Sequence, residues 1–300
     1  MTIAPHVFGL ELGGTKCVAL RADGDAILES VRIPTDDPGT TLDAVDAVFD
    51  GWRRERVPAA LGIASFGPIA VDRGRSDWGF VLTTPKPGWA GTDIAGRYRR
   101  LLDVPTGFDT DVNAAALAEA LWGGAAGTSC NAYITLGTGI GVGLVVNGAP
   151  VHGRMHPEFG HLKARRMAGD RFPGACAFHG DCIEGLISGP ALAARGGMRG
   201  EMVPDDHPMW DGVAHDLGEL LAALILAVSP ERIALGGGIA CARPWLVARS
   251  RRAAVASLGS YLPDVPGDID AIVDVATLGD KAGPLGAVAV AMAALSGSGG

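Results

Sequence analysis

The chain has 300 residues, a formal net charge of −8 and 48% hydrophobic residues. This length predicts about two domains, and this apolar content is ample for their cores. The acidic balance argues against a nucleic-acid-binding protein, and no apolar run is long enough to indicate a membrane span.

The first predicted element is a strand over residues 7–11, followed by a turn at Gly13, Gly14 and Thr15 and a return strand over residues 17–21. A glycine-rich turn lets backbone N–H groups approach an anion closely, and the threonine adds a hydroxyl donor. The motif is not a Walker A loop, because no G-x4-G-K-[ST] is present. Taken alone, the turn fits an ordinary hairpin as well as a phosphate site.

A helix is predicted over residues 41–54 from its apolar periodicity, and a buried strand over residues 60–64. Residues 83–89, T-T-P-K-P-G-W, form a rigid loop, because two prolines do not easily continue a helix or a central strand. This loop fits either a wall of a substrate pocket or a plain surface connection.

Asp111 lies at the N-cap or in the first turn of a helix predicted over residues 114–122. The helix dipole and the free N–H groups of a first turn favour an ionised carboxylate. Asp111 is therefore placed either as a general base or as a simple helix cap.

A second strand–turn–strand unit follows, with strands over residues 133–136 and 141–146 and a turn at Gly137, Thr138 and Gly139. The tetrapeptides L-G-G-T and L-G-T-G are variants of one device. Two such turns facing each other across a cleft could hold the phosphates of a nucleotide from both sides, which makes the pair more specific than either turn alone.

His161, Cys176, His179 and Cys182 have spacings that suit a tetrahedral metal ion. Thiolate and imidazole ligands together indicate Zn²⁺, and four protein ligands indicate a structural site. Residues 163–175 contain four basic residues, two glycines and a proline, so a metal would help this segment to keep its shape. The alternative is four unrelated side chains.

Glu158 and Glu184 flank this metal segment. Carboxylates that are held beside a cleft and accept hydrogen bonds from hydroxyl groups are typical of sugar pockets. Each glutamate alone also fits a surface position or a group that supports a metal ligand.

The rest of the chain is helical with one further strand. A long helix over residues 211–227 precedes a strand over residues 233–235 and three glycines at 236–238. These glycines permit a flat ring or a phosphate to approach the backbone, or form a tight strand–helix turn. The last predicted helix, residues 285–295, is nearly all Ala, Val and Leu and must be buried.

Cys17, Cys130 and Cys241 remain after two cysteines are assigned to the metal. Their apolar, strand-like or glycine-rich settings indicate reduced thiols, so we expect a cytoplasmic protein.

Together these motifs resemble the ROK family of sugar kinases, within the actin-like ATPase superfamily, over nearly the whole chain. E-L-G-G-T-K is similar to the first phosphate motif, L-G-T-G-I-G-V-G to the second and A-L-G-G-G-I-A to the adenosine motif. D-V-N-A-A-A-L-A-E resembles the segment with the catalytic aspartate, and E-F-G-H with C-x2-H-x2-C-x-E resembles the zinc signature. S-F-G-P, T-T-P-K-P-G-W and D-T-D-V-N resemble the bacterial fructokinase branch, whereas glucokinase members usually show E-N-D and C-x-C-G-x2-G-C.

The resemblance implies two RNase-H-like α/β domains with the active site in the cleft between them. We place the smaller domain at residues 1–112 with about 284–300, and the larger at 113–283 with the zinc loop. The last helix is expected to pack on the N-terminal domain, and the protein is expected to be a homodimer.

The implied reaction is phosphoryl transfer from MgATP to the 6-hydroxyl of fructose, with Asp111 accepting the hydroxyl proton. The resemblance assigns the sugar to Asn113, Glu158, His161 and Glu184, and structural Zn²⁺ to His161, Cys176, His179 and Cys182. It assigns the nucleotide to Gly13, Gly14, Thr15, Lys16, Gly137, Thr138, Gly139, Gly236, Gly237 and Gly238. Glu11 and Lys16 are further candidates for contact with metal or phosphate. The alternatives are a broad hexokinase acting on glucose or mannose and a non-catalytic sugar-sensing protein.

Overall fold

The computed structural model describes residues 4–297, which form two compact units. The first unit contains the described residues up to Trp122, then Val145–Pro157 and the residues from Asp280 onward. The second contains Gly123–Leu144 and Glu158–Gly279. These bounds differ from the expected domains chiefly at residues 113–122 and 145–157, which the structure groups with the first unit.

The strands are β1 (His6–Leu12), β2 (Lys16–Asp23), β3 (Ala26–Pro34), β4 (Ala60–Ser65), β5 (Thr106–Thr110), β6 (Cys130–Leu136), β7 (Ile140–Val146), β8 (Ala149–Pro150), β9 (Arg232–Gly236) and β10 (Val273–Val275). The helices are α1 (Pro38–Glu55), α2 (Ile94–Leu102), α3 (Asp111–Trp122), α4 (Ile183–Ile187), α5 (Gly189–Gly196), α6 (Met209–Val228), α7 (Gly237–Ala242), α8 (Pro244–Leu258), α9 (Val265–Ile272) and α10 (Ala282–Ser296). No described helix is both long and apolar enough to cross a membrane.

The first sheet has the strand order β3-β2-β1-β4-β5. The hairpin strand β2 runs antiparallel to β1 and β3, whereas β1, β4 and β5 run parallel. Leu12 pairs with Ser65, and Ser65 with Thr110, so these three strands end at one level. Whatever follows each strand therefore emerges from the same edge of the sheet.

The second sheet repeats this order as β10-β9-β6-β7-β8, with β6, β9 and β10 parallel. The boundary between the units passes through β7 after Leu144, so β8 is counted with the first unit. Both sheets thus begin with a strand–glycine turn–strand element. The predicted α/β class with two RNase-H-like sheets is confirmed. The two related glycine turns in the sequence correspond to the same position in the two sheets.

Helix α1 begins three residues before its predicted start, because Asp37 caps it and Pro38 occupies its first turn. The Asp37 carboxylate accepts a hydrogen bond from the backbone N–H of Thr40 at 3.0 Å. Strand β3 was not predicted, since it lies at the sheet edge and most of its side chains are exposed. Its sequence therefore lacks a clear alternation of polar and apolar residues.

An aromatic core joins β1 to α1 and α2. The rings of Phe8 and Phe49 stack with centroids 5.4 Å apart, and Tyr98 meets Phe49 edge-on at 5.5 Å. Trp52 packs against Phe8 at 5.6 Å. Aromatic pairs of this kind add to the free energy gained by burying their area.

Helix α10 packs against the first sheet over a row of glycines. Gly9, Gly62 and Gly107 are direct neighbours on β1, β4 and β5. A Cβ atom at Gly62 would overlap the carbonyl oxygen of Ala287 in α10, and one at Gly107 would meet the backbone of Val290. The glycines therefore allow the helix backbone to approach the strands directly, and the predicted burial of this helix follows.

We predict that Gly62→Ala destabilises the protein by about 3 kcal/mol or more, because the added methyl group meets fixed backbone and α10 must shift. The midpoint of urea unfolding, followed by tryptophan fluorescence, should fall. The matched control is Gly51→Ala at an exposed position of α1, where a Cβ meets nothing within 4 Å. The control should gain about 0.5–1 kcal/mol of helix stability. An unchanged midpoint for Gly62→Ala would contradict the close packing of α10.

Candidate active site

The first glycine turn presents unpaired N–H groups to solvent. The N–H of Gly13 donates to the carbonyl of Lys16 at 3.1 Å and closes the turn. Gly14 and Thr15 are exposed, and their N–H groups have no acceptor among residues 4–297. Adjacent N–H groups left free in this way form a concavity that favours an anion.

The carbonyl groups of the same turn are all occupied from the protein side. The Thr35 hydroxyl donates to Gly13 O at 2.8 Å, the Lys86 ammonium to Gly14 O at 2.6 Å, and the Thr35 N–H to Thr15 O at 3.0 Å. The oxygen ends of these peptide dipoles therefore point into protein. The arrangement selects for negative rather than positive ligands at the exposed side.

The second glycine turn has the same polarity. The N–H of Gly137 donates across the turn to Gly139 O at 3.1 Å, and its carbonyl accepts from the N–H of Gly189 at 2.8 Å. The N–H groups of Thr138 and Gly139 have no acceptor in the described part of the chain. Two independent turns thus share one hydrogen-bonding pattern, as their related sequences suggest.

The third glycine motif lies beside the second in the same unit. Gly237 has φ +83°, and a Cβ there would collide with the backbone of Leu136, the residue immediately before the second turn. Only glycine permits this approach without strain. Because β6 and β9 are parallel neighbours, Gly236 and Gly238 emerge at the same sheet edge as the second turn.

Asp111 is the first residue of α3 and follows β5 directly. Its carboxylate accepts a hydrogen bond from the N–H of Val112 at 2.9 Å. The Thr110 hydroxyl accepts from the N–H of Asn113 at 3.1 Å and caps the helix instead. The capping task is therefore met by Thr110, and the Asp111 carboxylate is not required for it.

Asn113 is buried, and its side-chain amide donates to the buried carboxylate of Asp109 at 2.8 Å. The other Asp109 oxygen lies 2.9 Å from the Nε2 atom of His152. Burial opposes the charged form of this histidine, but hydrogen bonding to Asp109 and attraction to its negative charge together outweigh burial and raise the pKa of His152. Asp109 and His152, which were not predicted as site residues, contact each other at the β5–α3 junction.

His156 is buried, and burial lowers its pKa, so the ring is neutral at pH 7. Its Nε2 atom accepts a hydrogen bond from the N–H of Ile69 at 3.1 Å. The segment before Glu158 is thereby tied to the loop after β4. His152, four residues before the H-P-E-F-G-H motif, and His156, its first residue, were the sequence signal that could have revealed these contacts.

The four predicted metal ligands come together in the second unit. The donor atoms of His161, Cys176, His179 and Cys182 all lie within 4.8 Å of one another. Cys176 Sγ is 3.8 Å from Nδ1 of both His161 and His179, and Cys182 Sγ is 3.6 Å from His161 Nδ1. Tetrahedral zinc with ordinary bond lengths requires about 3.6 Å between sulfur and nitrogen ligands.

The donor set therefore fits zinc in chemistry and in spacing. Burial raises the pKa of the Cys182 thiol to about 11. Binding of zinc would have to release this proton, because the thiolate is the ligand.

Ion pairs also support the metal segment. Arg195 of α5 contacts the carboxylates of Asp170 and Asp216, each at 3.0 Å, and Arg166 contacts Asp170 at 2.8 Å. Asp216 is fully buried in α6. These ion pairs anchor residues 163–175 to two helices, in addition to any support from a metal.

Glu158 and Glu184 lie close enough to interact. Although Glu158 as a residue is exposed, its carboxyl group is largely surrounded by protein, and this burial, followed by repulsion from Glu184, raises its pKa to about 7. Glu184 accepts a hydrogen bond from the N–H of Ile140 at 3.2 Å, next to the second glycine turn. A residue that directly follows the metal segment thus places its carboxylate beside that turn.

The predicted site residues fall into two groups. The first unit holds the turn at residues 13–16 together with Asp111 and Asn113, all beyond the carboxyl ends of β1 and β5. The second unit holds the turns at 137–139 and 236–238 and the metal segment with its two glutamates. Within the rigid loop at residues 83–89, Trp89 is buried and its indole N–H donates to Asp36 O at 2.9 Å.

Residues 7–294 match the ROK family. The chain belongs to this family. A fructokinase from Zymomonas mobilis is 39% identical over 295 residues, covering 95% of this chain and 96% of that protein. Four further relatives carrying fructokinase in their names are 34–37% identical over at least 90% of the chain. This ROK protein is therefore a sugar kinase, a phosphotransferase.

Solved structures support the same fold. A ROK hexokinase from Thermus thermophilus superposes with a TM-score of 0.76 and 28% identity, over 97% of this chain and 99% of that one. A ROK glucokinase from Streptomyces griseus, in complex with glucose and AMPPNP, gives 0.76 and 25% identity over 96% and 99%. The two-domain actin-like ATPase fold of this ROK kinase is thereby established.

We predict that the purified kinase holds about one zinc ion per chain, because its four donors match tetrahedral spacing. Cys176→Ser should lose most of this zinc, measured by inductively coupled plasma mass spectrometry after dialysis. It should also become sensitive to trypsin at the basic residues of the 163–171 stretch. Cys241→Ser, at an exposed cysteine outside the quartet, is the control and should keep its zinc. Folded wild-type protein without bound metal would exclude a zinc site.

Proposed function

We propose that this ROK kinase transfers the terminal phosphoryl group of MgATP to the 6-hydroxyl of fructose. The observation that carries the proposal is the shared sheet edge of the first unit. The anion-selective turn follows β1 and Asp111 follows β5, and both strands end at one level. A base and a phosphate turn on rigid elements provide the two functions that phosphoryl transfer to a hydroxyl requires.

Asp111 acts as the general base that accepts the proton of the sugar hydroxyl. Its position in the first turn of α3 favours the ionised carboxylate, and Thr110 relieves it of the capping role. Such a base contributes about two to four orders of magnitude in rate.

The sugar is held by carboxylates, a histidine and an amide in this proposal. Glu158 and Glu184 accept hydrogen bonds from sugar hydroxyls, and His161 faces the metal with Nδ1, which leaves Nε2 for the sugar. Asn113 lies two residues after Asp111, and its side-chain amide donates to the Asp109 carboxylate at the β5–α3 junction.

The glycine turns at residues 13–15 and 137–139 hold the phosphates through their free N–H groups, with Lys16 adding charge, and the glycines at 236–238 take the adenosine. Burial is the main cause that raises the pKa of Glu11, which lies near the first turn. Repulsion from the Asp280 carboxylate raises it further. Oxygen ligands of this kind fit Mg²⁺. When bound, the ion would offset charge on the transferred phosphoryl group.

Fructose is favoured because the named fructokinases align over nearly the whole chain. The glucokinase of Streptomyces coelicolor is 31% identical over only 66% of it. A broad hexokinase is the second candidate, since that relative and the glucose-bound structure are similar as well. The homodimer and the cytoplasmic location expected from the sequence complete the proposal.

We predict that Asp111→Asn lowers turnover about 10²–10⁴-fold, because an amide cannot accept the proton. Fructose affinity, measured by calorimetry, should change little. The matched control is Asp103→Asn, an exposed position with φ 53°, a backbone conformation that asparagine tolerates. Wild-type turnover in Asp111→Asn would remove this residue as the base.

A second prediction concerns the sugar. Release of ADP from MgATP should be fastest with fructose when fructose, glucose, mannose and N-acetylglucosamine are compared by kcat/KM. Similar kcat/KM values for several hexoses would contradict a fructokinase and support the broad hexokinase. No turnover with any of them would contradict the proposed reaction.

A further inference from the structure

Lys86 reaches the first glycine turn from the rigid loop at residues 83–89. Its ammonium donates to Gly14 O at 2.6 Å and to Thr35 O at 3.1 Å. The ammonium has three N–H donors, so one donor is left after these two bonds. The side chain is half-buried, which fixes the charge near the turn.

No carboxylate lies within ion-pairing distance of Lys86 in the described part of the chain. By contrast, Lys163 pairs with Asp181 at 2.7 Å. Two carbonyl oxygens supply partial negative charge only, so the full positive charge of Lys86 remains uncompensated. A half-buried cation of this kind is stabilised when an anion binds beside it.

The neighbourhood of this cation is already arranged for an anion. Gly14 and Thr15 expose N–H groups without acceptors, and the bond to Gly14 O holds Lys86 on the same turn. An ammonium and free backbone N–H groups together are typical of sites that bind phosphate.

We propose that Lys86 is a phosphate-contacting residue that binds the nucleotide beyond its α-phosphate. This inference rests on the proposed function for the identity of the anion. It assigns to the rigid loop a role that is neither a sugar wall nor a plain connection. Trp89 and the two prolines hold the loop so that Lys86 stays at the turn.

A purely mechanical role is the competing explanation, because Lys86 also pins its loop to the turn. The two roles differ in what a neutral side chain of similar length would change. A mechanical pin acts on every ligand of the first unit alike. A phosphate contact acts only on ligands that carry phosphates beyond the first.

The test is Lys86→Met, with the affinities of Mg·AMPPNP, Mg·ADP and AMP measured by calorimetry. We expect the AMPPNP affinity to fall about 10-fold or more, while AMP affinity and fructose affinity stay at wild-type values. Turnover with MgATP should fall about 10²–10³-fold, as when one electrostatic donor is removed from an active site. Lys86→Arg, which keeps the charge, should retain more AMPPNP affinity than Lys86→Met.

The control variant is Arg54→Met, which removes an exposed positive charge of α1 in the same unit and should leave every affinity unchanged. Wild-type AMPPNP affinity in Lys86→Met would overturn the inference. Equal losses for AMPPNP, AMP and fructose, or a lowered unfolding midpoint that accounts for all of them, would show a mechanical pin and also overturn it.

The nucleotide titrations need no turnover, so they separate this inference from the proposed function. If wild-type protein phosphorylates no hexose but binds AMPPNP through Lys86, the proposed reaction fails and the phosphate contact stands. If wild-type protein phosphorylates fructose and Lys86→Met does so equally well, the contact fails alone.

Discussion

Parallel pairing of β1, β4 and β5 is the constraint on which the first half of the candidate site depends. Because the pairing register aligns Leu12, Ser65 and Thr110, the three strands release their chains at one edge. The glycine turn and the start of α3 emerge there without any loop to place them. Helix α10 keeps the strands in this position through direct backbone contact, so the geometry of the edge is set by the rigid interior of the unit rather than by surface segments.

The glycine turns of the two sheets share one hydrogen-bonding pattern. In each turn the first N–H closes the hairpin, carbonyl groups accept hydrogen bonds from protein donors, and the next two N–H groups are left free. Peptide dipoles provide the positive end of each turn, and Lys86 places a full positive charge beside the first one. In the second unit, Glu184 accepts a hydrogen bond from the N–H of Ile140 beside the turn and follows the cluster of histidine and cysteine donors by two residues.

Local sequence signals predicted the elements whose structure depends on residues close together in the chain. The glycine turns, the helix after Asp111 and the C-x2-H-x2-C spacing all depend on near neighbours in the chain. The contacts of Lys86 with Gly14, and of His152 with Asp109, join residues far apart in sequence, and no spacing rule reveals them. Edge strand β3 was missed for a different reason, since its exposed residues leave no apolar alternation. The roles of the site residues remain predictions, because a side chain's position does not by itself identify its ligand.

The position of helix α10 near the end of the chain affects the order in which the two units can fold. Strands β1, β4 and β5 leave the ribosome early, yet the helix that covers their glycine row comes after every strand of both sheets. The second unit is complete once residue 279 has been synthesised, whereas the first must wait for the segment that follows. Within this chain, the first unit can therefore complete its core only after all of the second unit has been synthesised.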